Sequence, residues 1–148
     1  ADKGFDTVEC YRHVEHIVAK RQDVLLLECM SNLLANEMYL EQDSDDGGLA
    51  ETMSEVEKTG VGMSETLSPV SKKIVQALVN LSTRVQDVVI VTNDVFSDGG
   101  SLTYDESTRE YVKNLAEINC ALAREAATVT EVVCGIPVIV KKNHPMGK

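Results

Sequence analysis

Glu28 ends the apolar run Val24-Leu25-Leu26-Leu27, and a second run, Val88-Val89-Ile90-Val91, ends in Thr92, Asn93 and Asp94. Carboxylates, a hydroxyl and an amide delivered at the ends of apolar runs are groups that serve a bound metal–phosphate unit or a sugar hydroxyl. If both runs are strands of an open α/β sheet, these residues lie near each other in the crevice at the strands' carboxyl ends, where such sheets bind ligands. The plainer alternative is that Glu28 and Asp94 only begin the following loops, and either run alone leaves both readings open.

Other chemistry-bearing residues are weaker signals. Glu9, His13 and His16 fall at i, i+4 and i+7, so a helix there would carry three metal-ligand types on one face, without a fourth ligand nearby. Cys29 follows Glu28 and would need a cationic neighbour to act as a thiolate; packing is the simpler role. Arg109 and Asn119 are spaced near three turns, so one helix face could hold both, although exposed helix polars are the reading that periodicity alone favours. Asp43-Ser44-Asp45-Asp46-Gly47-Gly48 resembles the start of a calcium loop, but its twelfth position is Ser54 and Glu55 comes one residue late. No GxxxxGK[ST] phosphate loop is present.

The elements that must position these groups follow from periodicity. Val8, Tyr11, Val14, Ile17 and Val18 recur at helical spacing and predict a helix over 7–21. Residues 24–28 read as a strand covered on both faces, because the run is continuous rather than alternating. A short helix is expected over 30–40. The stretch 41–65 is rich in carboxylates and glycine, lacks apolar periodicity and reads as an exposed, mobile insertion. Ser68-Pro69 opens a helix to about residue 85. A strand over 88–92 and a glycine-containing loop over 94–103 follow. Thr103-Tyr104-Asp105-Glu106 fits a capping box for the longest helix, to about residue 127. Apolar runs at 131–134 and 136–140 flank Gly135, and residues 141–148 form a polar end expected to fray. The alternation predicts an α/β fold: one domain over 1–148 with a mainly parallel sheet flanked by helices.

Composition bounds the partners. The 148 residues are 43% hydrophobic and 26% charged, with net charge −10. That argues against nucleic acid or an anionic membrane as partner, while leaving room for a nucleotide held by a local site. No apolar stretch is long enough to span a bilayer and no signal peptide is visible. Cys10, Cys29, Cys120 and Cys134 form no CxxC pair, which suits reduced thiols in a cytoplasmic protein.

The ordered set Thr7-Val8-Glu9-Cys10-Tyr11-Arg12-His13, Leu26-Leu27-Glu28-Cys29, Val91-Thr92-Asn93-Asp94-Val95, Arg109 with Tyr111, Asn119, Leu122 and Ala123, and Glu131-Val132-Val133-Cys134-Gly135-Ile136-Pro137 resembles the bifunctional adenosylcobinamide kinase / adenosylcobinamide-phosphate guanylyltransferase family of cobalamin biosynthesis. The likeness covers nearly all of the chain outside 41–65. It implies a P-loop NTPase-like three-layer fold, use of GTP or ATP with Mg²⁺, and a cobinamide-type corrinoid substrate. It implies phosphorylation of the corrinoid's aminopropanol hydroxyl, then GMP transfer through a guanylylated histidine. It places Glu9 and Glu28 in the GTP site, with Thr92, Asn93, Asp94, Arg109 and Asn119 as possible lining, and it implies a homo-oligomer, with a trimer as the expected form.

The chain departs from the pattern in lacking the family's N-terminal Walker A loop and any histidine before Glu9; Asp94 stands where Glu is usual and Ala116 where Gly is usual. These departures fit an N-terminally incomplete chain, a relative repurposed for non-catalytic nucleotide binding or assembly, or a site completed by another chain. In each case little phosphoryl transfer is expected of these residues alone.

Overall fold

The computed structural model describes residues 4–40, 67–95 and 104–143. The expectations for the acidic stretch 41–65 with its calcium-like loop, for the loop beyond Val95, and for the end beyond residue 143 lie outside these. Within them, strand β1 (Val24–Glu28) leads into helix α1 (Met30–Tyr39); helix α2 (Pro69–Ser82) leads into strand β2 (Asp87–Val91); helix α3 (Glu106–Glu125) leads into strands β3 (Thr128–Val133) and β4 (Ile136–Lys142). The fold is mixed α/β.

β1 and β2 pair in parallel, from Val24 opposite Asp87 to Glu28 opposite Val91. Parallel pairing requires a crossover between them, and α1 and α2 both lie on that connection. β3 and β4 form an antiparallel hairpin. Its turn, Cys134-Gly135, has positive φ at both residues (50° and 81°), the geometry of a two-residue hairpin turn that matches strand twist. Lys141 of β4 donates through Nζ to the carbonyls of Ala123 (3.0 Å) and Arg124 (2.7 Å), satisfying the open C-terminal end of α3 with a cation.

Two expectations change here. The described strands form two separate two-stranded sheets, so the expected mainly parallel sheet reduces to the β1–β2 pair. Both strands alternate instead of being covered on both faces: Leu27 and Ile90 pack on the helical core, while Val24, Leu26, Val89 and Val91 are exposed. A continuous apolar run says that both faces tolerate burial; what covers each face is decided by elements elsewhere in the chain.

The core lies between the helices and the inner face of β1–β2. Met30 and Leu34 of α1, Ile74, Val75 and Leu78 of α2, and Leu115 and Ile118 of α3 are almost fully buried. Each set recurs three or four residues apart and so forms one stripe on its helix. A short polar seam fixes how α2 meets α3. Ser68 caps α2, accepting from the Ser71 amide at 3.2 Å, with Pro69 at the first helical position. The Ser68 amide donates to Glu117 (2.9 Å), and the buried Ser71 hydroxyl donates to the Asn114 carbonyl (3.3 Å). α3 begins at Glu106 with Asp105 as its cap, accepting from the Thr108 amide at 2.7 Å, in place of the capping box expected from Thr103.

Leu115 has no exposed surface and belongs to the core cluster to which all three helices contribute. Leu115→Ala is expected to cost about 2–5 kcal/mol of unfolding free energy. Ser68→Ala should cost about 1 kcal/mol, the usual loss for an N-cap. Denaturant titrations of both variants check the ordering; equal midpoints would contradict it.

Candidate functional site

The segment before β1 decides the shape of the site. Residues 7–21 are not a helix. His13 adopts a left-handed conformation (φ 56°, ψ 49°), which a right-handed helix cannot pass through. Only a 3-10 turn, Val14–His16, forms. The rest runs as an irregular strap in which Val14 is buried, Cys10 and Ile17 pack against the core, and Val8, Tyr11 and Val18 are exposed. The helix face that would have gathered Glu9, His13 and His16 therefore does not exist. Instead the two imidazoles stack with centroids 5.7 Å apart, and Glu9 accepts a 3.0 Å hydrogen bond from the Tyr11 hydroxyl.

An open cleft of about 900 Å³ lies between this strap, β1 and α1. Phe5, Thr7, Val8, Glu9 and Tyr11 line it from the strap, Leu26 and Glu28 from β1, and Cys29, Asn32 and Asn36 from the start of α1. The two carboxylates singled out in the sequence thus line one cleft, although the elements that carry them are separated in the chain. Glu28 is exposed at the carboxyl end of β1, directly before the N-terminus of α1. The Glu28–Cys29 peptide is cis.

The other candidates divide. Thr92, Asn93, Asp94, Arg109 and Asn119 do not line the cleft. Thr92 and Asn119 are brought together, the Thr92 hydroxyl donating to the Asn119 amide oxygen at 2.8 Å. Asn93 donates to the Ser31 hydroxyl (3.3 Å), tying the end of β2 to the start of α1. Asp94 is exposed just beyond. Arg109 pairs with Glu106 at 3.3 Å on the exposed face of α3, away from Asn119's partner. The near-integral spacing of Arg109 and Asn119 therefore does not translate into a shared site.

Ser31 went unnoticed in the sequence and is the hub of the strand-end cluster. Its hydroxyl lies 2.9 Å from the Cys29 thiol, and its carbonyl accepts from the Tyr111 hydroxyl at 3.2 Å. The Ser31 hydroxyl, followed by the Asn32 and Ser31 amides at the helix start, holds the Cys29 thiol below the usual range, against burial and the neighbouring Glu28 charge. Burial pushes the Tyr111 hydroxyl up, partly offset by its bond to Ser31. A cysteine two residues before a serine at a strand-to-helix junction was the available signal; the bond itself depends on the local turn.

A parallel strand pair with a carboxylate, Glu28, at the end of β1 and a cleft beside it is an α/β arrangement that can hold a ligand at its strand ends. The family model described as cobinamide kinase / cobinamide phosphate guanyltransferase matches residues 2–140, and the chain belongs to that family. The resemblance read from the ordered motifs is thereby established, and with it a role in cobalamin biosynthesis as a nucleotide-using transferase family acting on cobinamide. No curated protein matches the chain. Among the described residues no helix is long and apolar enough to cross a membrane.

Because the Cys29 thiol is held low, its alkylation should set in at lower pH than that of an ordinary cysteine. Ser31→Ala removes the largest stabiliser of the thiolate and should move that onset upward. Site-resolved iodoacetamide labelling followed by mass spectrometry checks this; an unchanged profile in Ser31→Ala would contradict the role given to the hydroxyl.

Proposed function

We propose that the cleft between the strap and β1 is the guanine-nucleotide site of this family member. The observation that carries the reading is that Glu9 and Glu28 line the same cleft from different elements. Glu9 lies among Phe5, Val8 and Tyr11, a partly apolar wall suited to a base. Its carboxylate can accept from both the N1–H and the exocyclic amine of guanine, a donor pair that adenine does not present. Glu28 stands at the strand's carboxyl end, before the N-terminus of α1, where the helix dipole favours phosphates. An exposed carboxylate there fits Mg²⁺, held directly or through water, and the ion would supply charge neutralisation to the phosphates.

The finer assignments rest on the same support. GTP is the favoured nucleotide, with ATP as the alternative phosphoryl donor. The corrinoid substrate presents first its aminopropanol hydroxyl and then the phosphate made there. The whole is a single α/β domain of P-loop-like three-layer architecture that works as a homo-oligomer, with a trimer as the expected form. Thr92, Asn93 and Asn119 stiffen the strand-end cluster beside the phosphate region, and Asp94 and Arg109 are set outside the cleft.

These 148 residues contain neither a Walker A sequence nor a histidine before Glu9. Lacking the amide cradle and its lysine, they should bind nucleotide yet transfer phosphoryl or guanylyl groups very slowly. Titration calorimetry of GTP with Mg²⁺ should show binding that Glu9→Ala and Glu28→Ala each weaken about tenfold, or roughly 1.4 kcal/mol. Removing Mg²⁺ should weaken the wild-type chain and leave Glu28→Ala little changed. Binding with little or no turnover on adding cobinamide is the result expected of these residues alone, under the enzyme reading and the non-catalytic nucleotide-binding or assembly reading alike; no binding to a folded chain would contradict the cleft as the nucleotide site.

A further inference from the structure

Glu37, near the end of α1, has a carboxylate that is only 4% exposed. It faces the strap. One oxygen accepts the His13 backbone amide at 2.9 Å, and the other accepts Lys73 Nζ at 2.7 Å, with Arg12 Nε 3.8 Å away. Arg12 also reaches the Leu40 carbonyl through Nη1 at 3.3 Å, so two consecutive strap residues are gripped by the C-terminal end of α1. Beyond this grip the strap turns, buries Val14 and is tied again where Arg84 donates to the Glu15 carbonyl (3.0 Å). Before it, the described strap residues are all exposed except Cys10. Glu9 and Tyr11 therefore project along the cleft from the segment on the N-terminal side of the Glu37 grip, in which Cys10 packs against the core.

The chemistry of that hold is well suited to fixing a backbone. The strap's left-handed residue leaves the His13 amide outside any helical ladder, and the Glu37 carboxylate supplies its acceptor. A carboxylate is a stronger acceptor for it than a carbonyl, and Lys73 and Arg12 balance the buried charge. Burial raises the Glu37 carboxyl, but the His13 amide, the Lys73 ammonium and the His13 ring more than offset it and hold the group below its ordinary range. It therefore stays ionised, and stays an acceptor, throughout the neutral range.

We propose that Glu37 is a positioning residue for Glu9: by clamping His13 and Arg12 it sets where Glu9 stands along the cleft, and so sets guanine recognition. This rests on the reading of the cleft as a guanine-nucleotide site. Glu37 touches no ligand in this account and acts through the strap alone.

Two measurements on the full 148-residue chain test it. Amide exchange reads the strap directly. In Glu37→Ala, exchange over residues 8–16 should quicken by roughly tenfold or more while the buried segments of α2 and α3 keep their protection. Glu37→Gln, which keeps an acceptor for the His13 amide but loses the charge that draws Lys73 and Arg12, should fall between. The second readout is the ratio of GTP to inosine triphosphate affinity, because the inosine base lacks the exocyclic amine and a general loss of stability does not alter that ratio. Glu37→Ala should narrow the ratio toward that of Glu9→Ala and add nothing further in the double variant. Unaltered strap exchange, or a loosened strap with the ratio intact, would overturn the role of Glu37. A wild-type chain that binds both nucleotides equally, or neither, would instead overturn the guanine reading of the cleft, and the positioning role with it.

Discussion

Parallel pairing of β1 with β2 is the constraint from which the rest of the site follows. Two strands that run the same way cannot be joined by a tight turn, so the chain must leave the end of β1, travel back and re-enter beside its start. The return is made by α1 and α2, whose apolar stripes then have one place to go, the inner face of the pair. The register sets Glu28 opposite Val91, so both strands end at the same level. Whatever follows each strand is delivered to one side: Glu28 and Cys29 from β1, Thr92 and Asn93 from β2. The bonds from Asn93 to Ser31 and from Thr92 to Asn119 then lock the two strand ends to α1 and α3.

The second determinant is the strap, which has no regular hydrogen-bond ladder of its own. It is held by contacts distant in sequence: His13 with Glu37, Arg12 with Leu40, Glu15 with Arg84, and the buried side chain of Val14. Most of these contacts are polar, and the central one is made to a carboxylate, a stronger acceptor than a neutral group. The cleft is bounded on one side by a strand and helix, where Glu28 stands, and on the other by this strap, which carries Glu9.

The strands and the three helices were legible in the sequence because their signals are local. Apolar runs bounded by Asp23 and Glu28, or by Asp87 and Thr92, mark strands; Ser68-Pro69 marks a helix start; Gly135 marks the hairpin turn. The helix expected over 7–21 fails for the opposite reason. Val8, Tyr11, Val14, Ile17 and Val18 have helical spacing, but Val18 is almost wholly exposed and the chain reverses hand at His13, whose amide is bonded by the distant Glu37. Glu9 and Glu28 were singled out from the sequence and line one cleft, while the bonds of Ser31 and Glu37 were not legible, since their partners include residues of other elements. Arg109 and Asn119 have different partners, Glu106 and Thr92: spacing along a helix names a shared face, not a shared ligand.

The central claim is that a guanine nucleotide occupies the cleft between the strap and β1. The most direct test is a titration of the isotopically labelled chain with Mg²⁺ and GTP, followed by backbone amide NMR. The account predicts shifts concentrated in residues 5–11, at 27–32 and around 36, with the β3–β4 hairpin and the exposed face of α3 near Arg109 unmoved. Shifts centred on the hairpin or on α3, with the strap and the end of β1 unperturbed, would contradict it.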